Sequence, residues 1–172
     1  LILPALGRSE RDEQAAGEQL VSVENSMGIV HASRGDRDPA SAELRSEPWI
    51  VARLAATMER AGALPPIEPP ADGPAAAAIA AGATTADGRL DWTRLVEDYA
   101  RIRHLIEATI PGFADYDRRV REPGGFELPN PPRDGDFDAV GGRARFTLNA
   151  VPRFEQADDQ LRMMTIRAHD QF

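Results

Sequence analysis

From Asp91 to Ile110 the apolar residues Trp92, Leu95, Val96, Tyr99, Ile102, Ile106 and Ile110 recur along one helical face. Asp91 is a good N-cap ahead of them, and Pro111-Gly112 breaks the pattern behind them. Arg94, Glu97, Asp98, Arg101 and His104 take the opposite face. The spacing therefore predicts one helix over 91–110 with its stripe against a core, and makes His104 a surface residue rather than a ligand. A second amphipathic helix is predicted over 46–62. Ser46 caps it, Pro48 suits its first turn, Ile50, Val51, Leu54, Ala55 and Met58 supply its apolar side, and Gly62 stops it. Between the two, Ala63 to Arg89 holds five prolines, an alanine run and two Asp-Gly steps, the composition of an exposed linker or insertion.

The flanking segments favour strands. Leu1 to Leu3 has the character of the end of a buried strand, and Gln19 to Asn25 alternates as a half-buried one. Arg143 to Asn149 alternates cleanly, and Leu161 to Ile166 suits a strand covered on both faces. The Pro- and Gly-rich passage from Glu122 to Asp138 is expected to be irregular and pinned by Phe113, Tyr116, Phe126, Leu128 and Phe137. Asp134, Asp136 and Asp138 lack the order of an EF-hand loop and suit a turn before a strand. The change of style near residue 135 marks a candidate domain boundary. An apolar start without Met, and a stop at Phe172 directly after a polar cluster, are expected of an internal piece of a longer polypeptide, one that exposes core surface when isolated.

All 20 basic residues are arginine, against 28 acidic ones, for a net charge of -8. That balance argues against nucleic acid as the main partner. The chain has no cysteine, which excludes disulfides, thiolate metal sites and cysteine nucleophiles within it. It holds no apolar run of transmembrane length, and a cytoplasmic location is expected, with an upstream export signal left open.

Two clusters carry candidate chemistry. Arg167, His169, Asp170 and Gln171 offer a guanidinium fork, an imidazole, a carboxylate and an amide within five residues, a set able to hold a polycyclic, phosphate-bearing ligand. Glu24, Asn25, Ser26, His31 and Arg34 lie close together in a Gly-bounded segment, where they either line a passage or stabilise a loop. A hydrolase built from Ser33, His169 and Asp170 lacks the G-x-S-x-G elbow. No catalytic residue and no metal ligand is assigned.

Taken in order, several segments resemble the C-terminal part of molybdopterin-dependent oxidoreductases of the formate dehydrogenase alpha-subunit-like family. They are Leu3-Pro4-Ala5-Leu6-Gly7-Arg8 with Glu10 and Asp12, then Val21 to His31, then Leu44 to Val51. Asp91-Trp92, Asp98 to Arg103, Pro111-Gly112-Phe113, Pro123 to Phe126, Leu128-Pro129-Asn130 and Arg167 to Phe172 follow. Ala5 stands where the pattern has cysteine, and the link between the helices is longer than usual.

The resemblance implies a mixed α/β fold. Residues 1–134 would form the tail of a Rossmann-like domain carrying the two amphipathic helices, with 63–89 as a Pro/Ala-rich insertion or linker. Residues 135–172 would begin a C-terminal, pterin-binding β-barrel domain. It further implies molybdenum or tungsten held by two molybdopterin guanine dinucleotides, a 4Fe-4S cluster bound upstream, a small formate-like substrate and an electron-transfer subunit. Arg167, His169, Gln171 and Asp170 would then bind the cofactor, and Glu24, Asn25, Ser26, His31 and Arg34 would line its funnel. The isolated segment would be inactive. A small acidic interaction module that binds no cofactor and docks a partner on its helices is the alternative.

Overall fold

The computed structural model describes residues 2–68, 82–138, 141–143, 146–153, 155 and 157–163. The chain divides into two compact units, Leu1–Asn130 and Pro131–Phe172. The first is mixed α/β. A two-residue hairpin, β1 (Glu13–Gln14) with β2 (Gly17–Glu18), precedes a three-stranded antiparallel sheet of order β3 (Val21–Glu24), β4 (Ile29–Ser33), β5 (Phe126–Glu127). Val21 stands opposite Ser33, Val23 opposite His31 and Val30 opposite Phe126. Four helices are named among the described residues: α1 (Glu47–Arg60), α2 (Trp92–Glu97), α3 (Ala100–Thr109) and α4 (Tyr116–Arg121).

The sheet side facing α4 carries the main core, where Val30, Tyr116, Val120 and Phe126 are buried with Phe113, Leu128 and Ile106 packed around them. Phe113, Tyr116 and Phe126 meet edge to face, with ring centroids 4.7 to 6.0 Å apart, a geometry that sets ring edges against ring faces. Four of the five residues expected to pin the irregular passage thus converge on one cluster. The second core lies between α1 and α2, where Ala52, Val96 and Tyr99 are buried against Trp49 and Trp92. Ala83, at the end of the Pro/Ala-rich passage, is fully buried against Leu95.

The helix expected over 91–110 is two helices. Asp98 adopts an extended conformation between them (φ -151°, ψ 111°), and its Oδ1 accepts the N–H of Ala100, the first residue of α3, at 2.9 Å. The Tyr99 N–H, freed from helical bonding, donates to Gln19 Oε1 at 2.8 Å. Periodicity continues across the break, so the apolar stripe conceals it. Helix α1 begins as expected, with the Trp49 N–H on Ser46 Oγ, yet it turns a different face inward. Ala52 is buried, whereas Val51, Leu54 and Met58 are 62, 49 and 45% exposed. A small residue at the contact lets the two helix backbones approach closely, which larger aliphatic side chains would prevent.

Of the strand end expected over Leu1 to Leu3, Leu1 lies outside the described residues; Ile2 and Leu3 form no strand, and Ile2 is 90% exposed. Arg103, placed by periodicity on neither the stripe nor the polar face, is buried beneath α4, its Nε on Asp117 Oδ1 at 2.6 Å and its Nη1 on Leu20 O at 3.1 Å.

In the second unit a short 3-10 turn spans Pro131–Asp134, and Asp136 Oδ1 accepts the Asp138 N–H at 3.0 Å, a turn rather than a cation loop. Among the described residues of 143–149 and 161–166 no strand forms, and Phe146, Leu148, Leu161 and Met163 are almost fully exposed. Apolar alternation predicts a strand only where a partner and a covering layer exist, and none is present among the described residues here.

Candidate functional site

The loops on either side of the sheet are stitched together by backbone. Arg37 and Asp36 N–H groups donate to Ser9 O, and the Arg11 N–H donates to Arg37 O. Gly35 is required there: a β-carbon at its position would lie 2.2 Å from Glu10 O. The Glu10 carboxylate clamps the same junction, accepting the Gly7 N–H at 2.5 Å and the Ala40 N–H at 2.6 Å. Those two bonds, Ala40's first, hold its carboxyl below the usual range.

Below this junction lies a polar hub that joins three elements. Tyr99 donates its hydroxyl hydrogen to Asp12 Oδ2 at 2.5 Å, so the Ser46 hydroxyl, 2.6 Å away, is the donor in their bond. Gln14 Nε2 donates to the other Asp12 oxygen at 2.6 Å. Burial, then the Asp12 carboxylate, push the Tyr99 hydroxyl far above its ordinary value, so it stays protonated. Sequence reasoning missed this hub because Asp12, Ser46 and Tyr99 lie 34 to 87 positions apart, though the Asp-Tyr step that breaks the helix was its local trace. Tyr99→Phe is expected to cost the first unit about 2 kcal/mol by leaving Asp12 and Ser46 short of a partner. A urea unfolding curve checks this.

The hub forms part of the wall of a groove of about 730 Å³. Its floor is apolar, with Trp92, Leu95, Ile102 and Ala52, and β3 contributes Val21 and Val23. Arg8 and Arg34 belong to its wall. Arg34 pairs with Glu18 at 3.7 Å across exposed surface, while Arg8 has no partner among the described residues. The Trp92 indole N–H is buried and makes no hydrogen bond among the described residues. A smaller hollow of about 460 Å³ lies beside α1, lined in part by Arg11, Asp38, Arg45 and Trp49. Arg11 is paired with Asp38 there, and Arg45 donates to Ala42 O and Leu44 O while lying over the Trp49 ring.

Of the second sequence cluster, only Arg34 lines the large groove. Asn25 Oδ1 accepts the Met27 and Ile29 N–H groups at 2.9 and 3.1 Å, which fixes the β3–β4 turn. Glu24 and Ser26 stand exposed at that turn. His31 shares its sheet face with Val23 but not the groove wall, and its Nδ1 lies 3.2 Å from Ala32 O. For Asn25 the loop-stabilising role is the one the geometry shows. Arg167, His169, Asp170 and Gln171 lie outside the described residues. Among the described residues no three His, Asp or Glu side chains gather to hold a metal ion, and no helix is long and apolar enough to cross a membrane.

No protein-family model matches the chain, and no solved structure does. It is, however, similar from end to end to a part of larger proteins. It is 38% identical over 173 residues to proteins named uncharacterized oxidoreductase in Mycobacterium tuberculosis and Mycobacterium bovis, matching 100% of this chain and 19% of theirs. With protein YdeP of Escherichia coli the identity is 39% over 174 residues, covering 99% of this chain and 20% of that protein. The chain thus spans about a fifth of the length of the curated relatives it matches, and those from mycobacteria are named as oxidoreductases.

Proposed function

We propose that this segment belongs to a molybdenum oxidoreductase carrying two pterin guanine dinucleotides, with formate-dehydrogenase-like two-electron chemistry, and that it helps enclose the cofactor. The observation that supports the oxidoreductase reading most is the end-to-end similarity to one part of proteins named as oxidoreductases. The finer reading rests on the ordered motifs from Leu3 to Phe172.

The groove suits one anionic, ring-bearing end of such a cofactor. Among the described residues Arg8 has no partner, Arg34 has a long, exposed ion pair with Glu18, and the buried Trp92 N–H makes no hydrogen bond. Arg8 and Arg34 would hold phosphate oxygens, because a guanidinium fork matches them two bonds at a time. The apolar floor would exclude water from the rings. The hub beneath keeps both loops in place, so the arginines need little reordering on binding. By residue type, Arg167, His169, Gln171 and Asp170 offer further donors and acceptors of the kind a pterin takes up. Such a cofactor, with a 4Fe-4S cluster bound elsewhere in the polypeptide, would supply the two-electron redox chemistry, and this chain would supply position and electrostatics.

Elemental mass spectrometry of the intact polypeptide that contains this segment tests the reading, with molybdenum or tungsten near one atom per chain expected. A well-folded, metal-free and pterin-free protein would sink it. Arg167→Ala or His169→Ala in that polypeptide is expected to lower metal occupancy while leaving soluble yield unchanged, and normal occupancy in both would remove these residues from the site. A second reading, an acidic interaction module, is favoured by the exposed Val51, Leu54 and Met58 face of α1.

A further inference from the structure

Among the described residues the outer edge of β3 is unpaired. The Asn25 N–H bonds to Ile29 O across the hairpin, so the alternation of an antiparallel ladder turns Val21, Val23 and Asn25 toward β4, and Ser22 and Glu24 outward. The sheet order leaves β3 at the margin, and no backbone partner for Ser22 or Glu24 occurs among the described residues. This edge opens into the large groove. Ser22 belongs to the groove wall although its side chain turns away to the Tyr116 hydroxyl, so its contribution is backbone. On the groove side Val21 is 40% exposed, and Val51 of α1, in the same wall, is 62% exposed. An apolar strip bordered by a row of free N–H and C=O groups is the template for an added strand.

We propose that this edge receives an extended strand from another part of the longer polypeptide, pairing with Ser22 and Glu24 and setting alternate apolar side chains against Val21 and Val23 at the margin of the groove, clear of the Arg8 and Arg34 wall. The proposal rests on the reading above that the segment belongs to a larger protein. The occupant follows from the relatives, in which four-fifths of the sequence lies outside the matched part, and an added strand of the same chain is held at high effective concentration. Only two outward residues offer bonds, so the strand is short and its side chains supply most of the hold.

Hydrogen exchange on the intact polypeptide, read by NMR or by fragmentation mass spectrometry, tests the pairing. The Ser22 and Glu24 amides are expected to exchange at least about tenfold more slowly than the amide of Ser26 at the exposed turn. Equal rates at all three would overturn the proposal. Glu24→Pro removes one outward N–H and leaves the β4 ladder intact, so it is expected to accelerate exchange at Ser22, and unchanged protection would count against strand addition. Protection that fades on dilution would assign the edge to a second copy of the chain and overturn the intrachain strand. Metal content of the same sample separates the two readings: protected amides in a metal-free protein would sink the cofactor and keep the strand, and unprotected amides in a metal-loaded protein would do the reverse.

Discussion

Gly125→Ala is expected to destabilise the Leu1–Asn130 unit by about 4 kcal/mol. Two costs add. Gly125 has φ +66°, in the left-handed region that a residue with a β-carbon enters only with strain. The added carbon would also lie 2.0 Å from Val30 O and 2.8 Å from His31 Cβ. Neither neighbour is a flexible side-chain end, so β4 and the chain leading into β5 would have to part. That separation would expose Phe126, which pairs with Val30 and anchors the aromatic cluster. Urea unfolding of wild type and variant, with the slope held in common, measures the difference. A loss below about 1 kcal/mol would show that the β4–β5 approach is looser than described.

Arg103→Met is expected to cost about 3 kcal/mol, because a buried charge pair loses one member while the other stays. Asp117 would retain Arg121, an i,i+4 partner at 3.1 Å whose side chain is half exposed, and Leu20 O would lose its donor. The same pair sets a pH dependence. Burial alone would raise the Asp117 carboxyl, but the hydrogen bonds from Arg121 and Arg103, with their charges, outweigh it and leave the value lowered. A lowered folded-state value means that the unfolded chain takes up the proton first. The contribution is therefore complete above the unfolded value of about 3.9 and is lost as pH falls below it through the folded value. In Arg103→Met the lowering is weaker, so the drop in stability at acid pH becomes shallower. Unfolding midpoints between about pH 2 and pH 5 check the sign. A parallel acid limb in the variant would show that Arg103 does not hold Asp117.

The sequence by itself determined the local elements whose signals are contained in neighbouring residues. Ser46 and Asp91 mark helix starts because their side-chain oxygens take up free N–H groups two or three residues on. Gly62 and the Asp87-Gly88 step mark stops and turns because glycine accepts positive φ, as both do here. The convergence of Phe113, Tyr116, Phe126 and Leu128 was legible as well, since large apolar residues in an irregular passage must be buried somewhere. The ordered motifs pointed toward part of an oxidoreductase, and the similarity to proteins named as oxidoreductases lies along that same stretch.

Tertiary structure decided what periodicity leaves degenerate. It broke the helix at Asp98 so that Tyr99 could reach Asp12, Ser46 and Gln19. It chose Ala52 over Val51, Leu54 and Met58 as the buried side of α1, because close helix approach needs a small residue and one wheel admits more than one apolar face. It buried Arg103 because an acid from another helix lies beside it. It also separated Arg34, which reaches the groove, from Asn25, whose carboxamide is spent on its own turn. Spacing along the chain fixes which residues can share a turn or a face, and only the fold fixes which of those faces finds a partner.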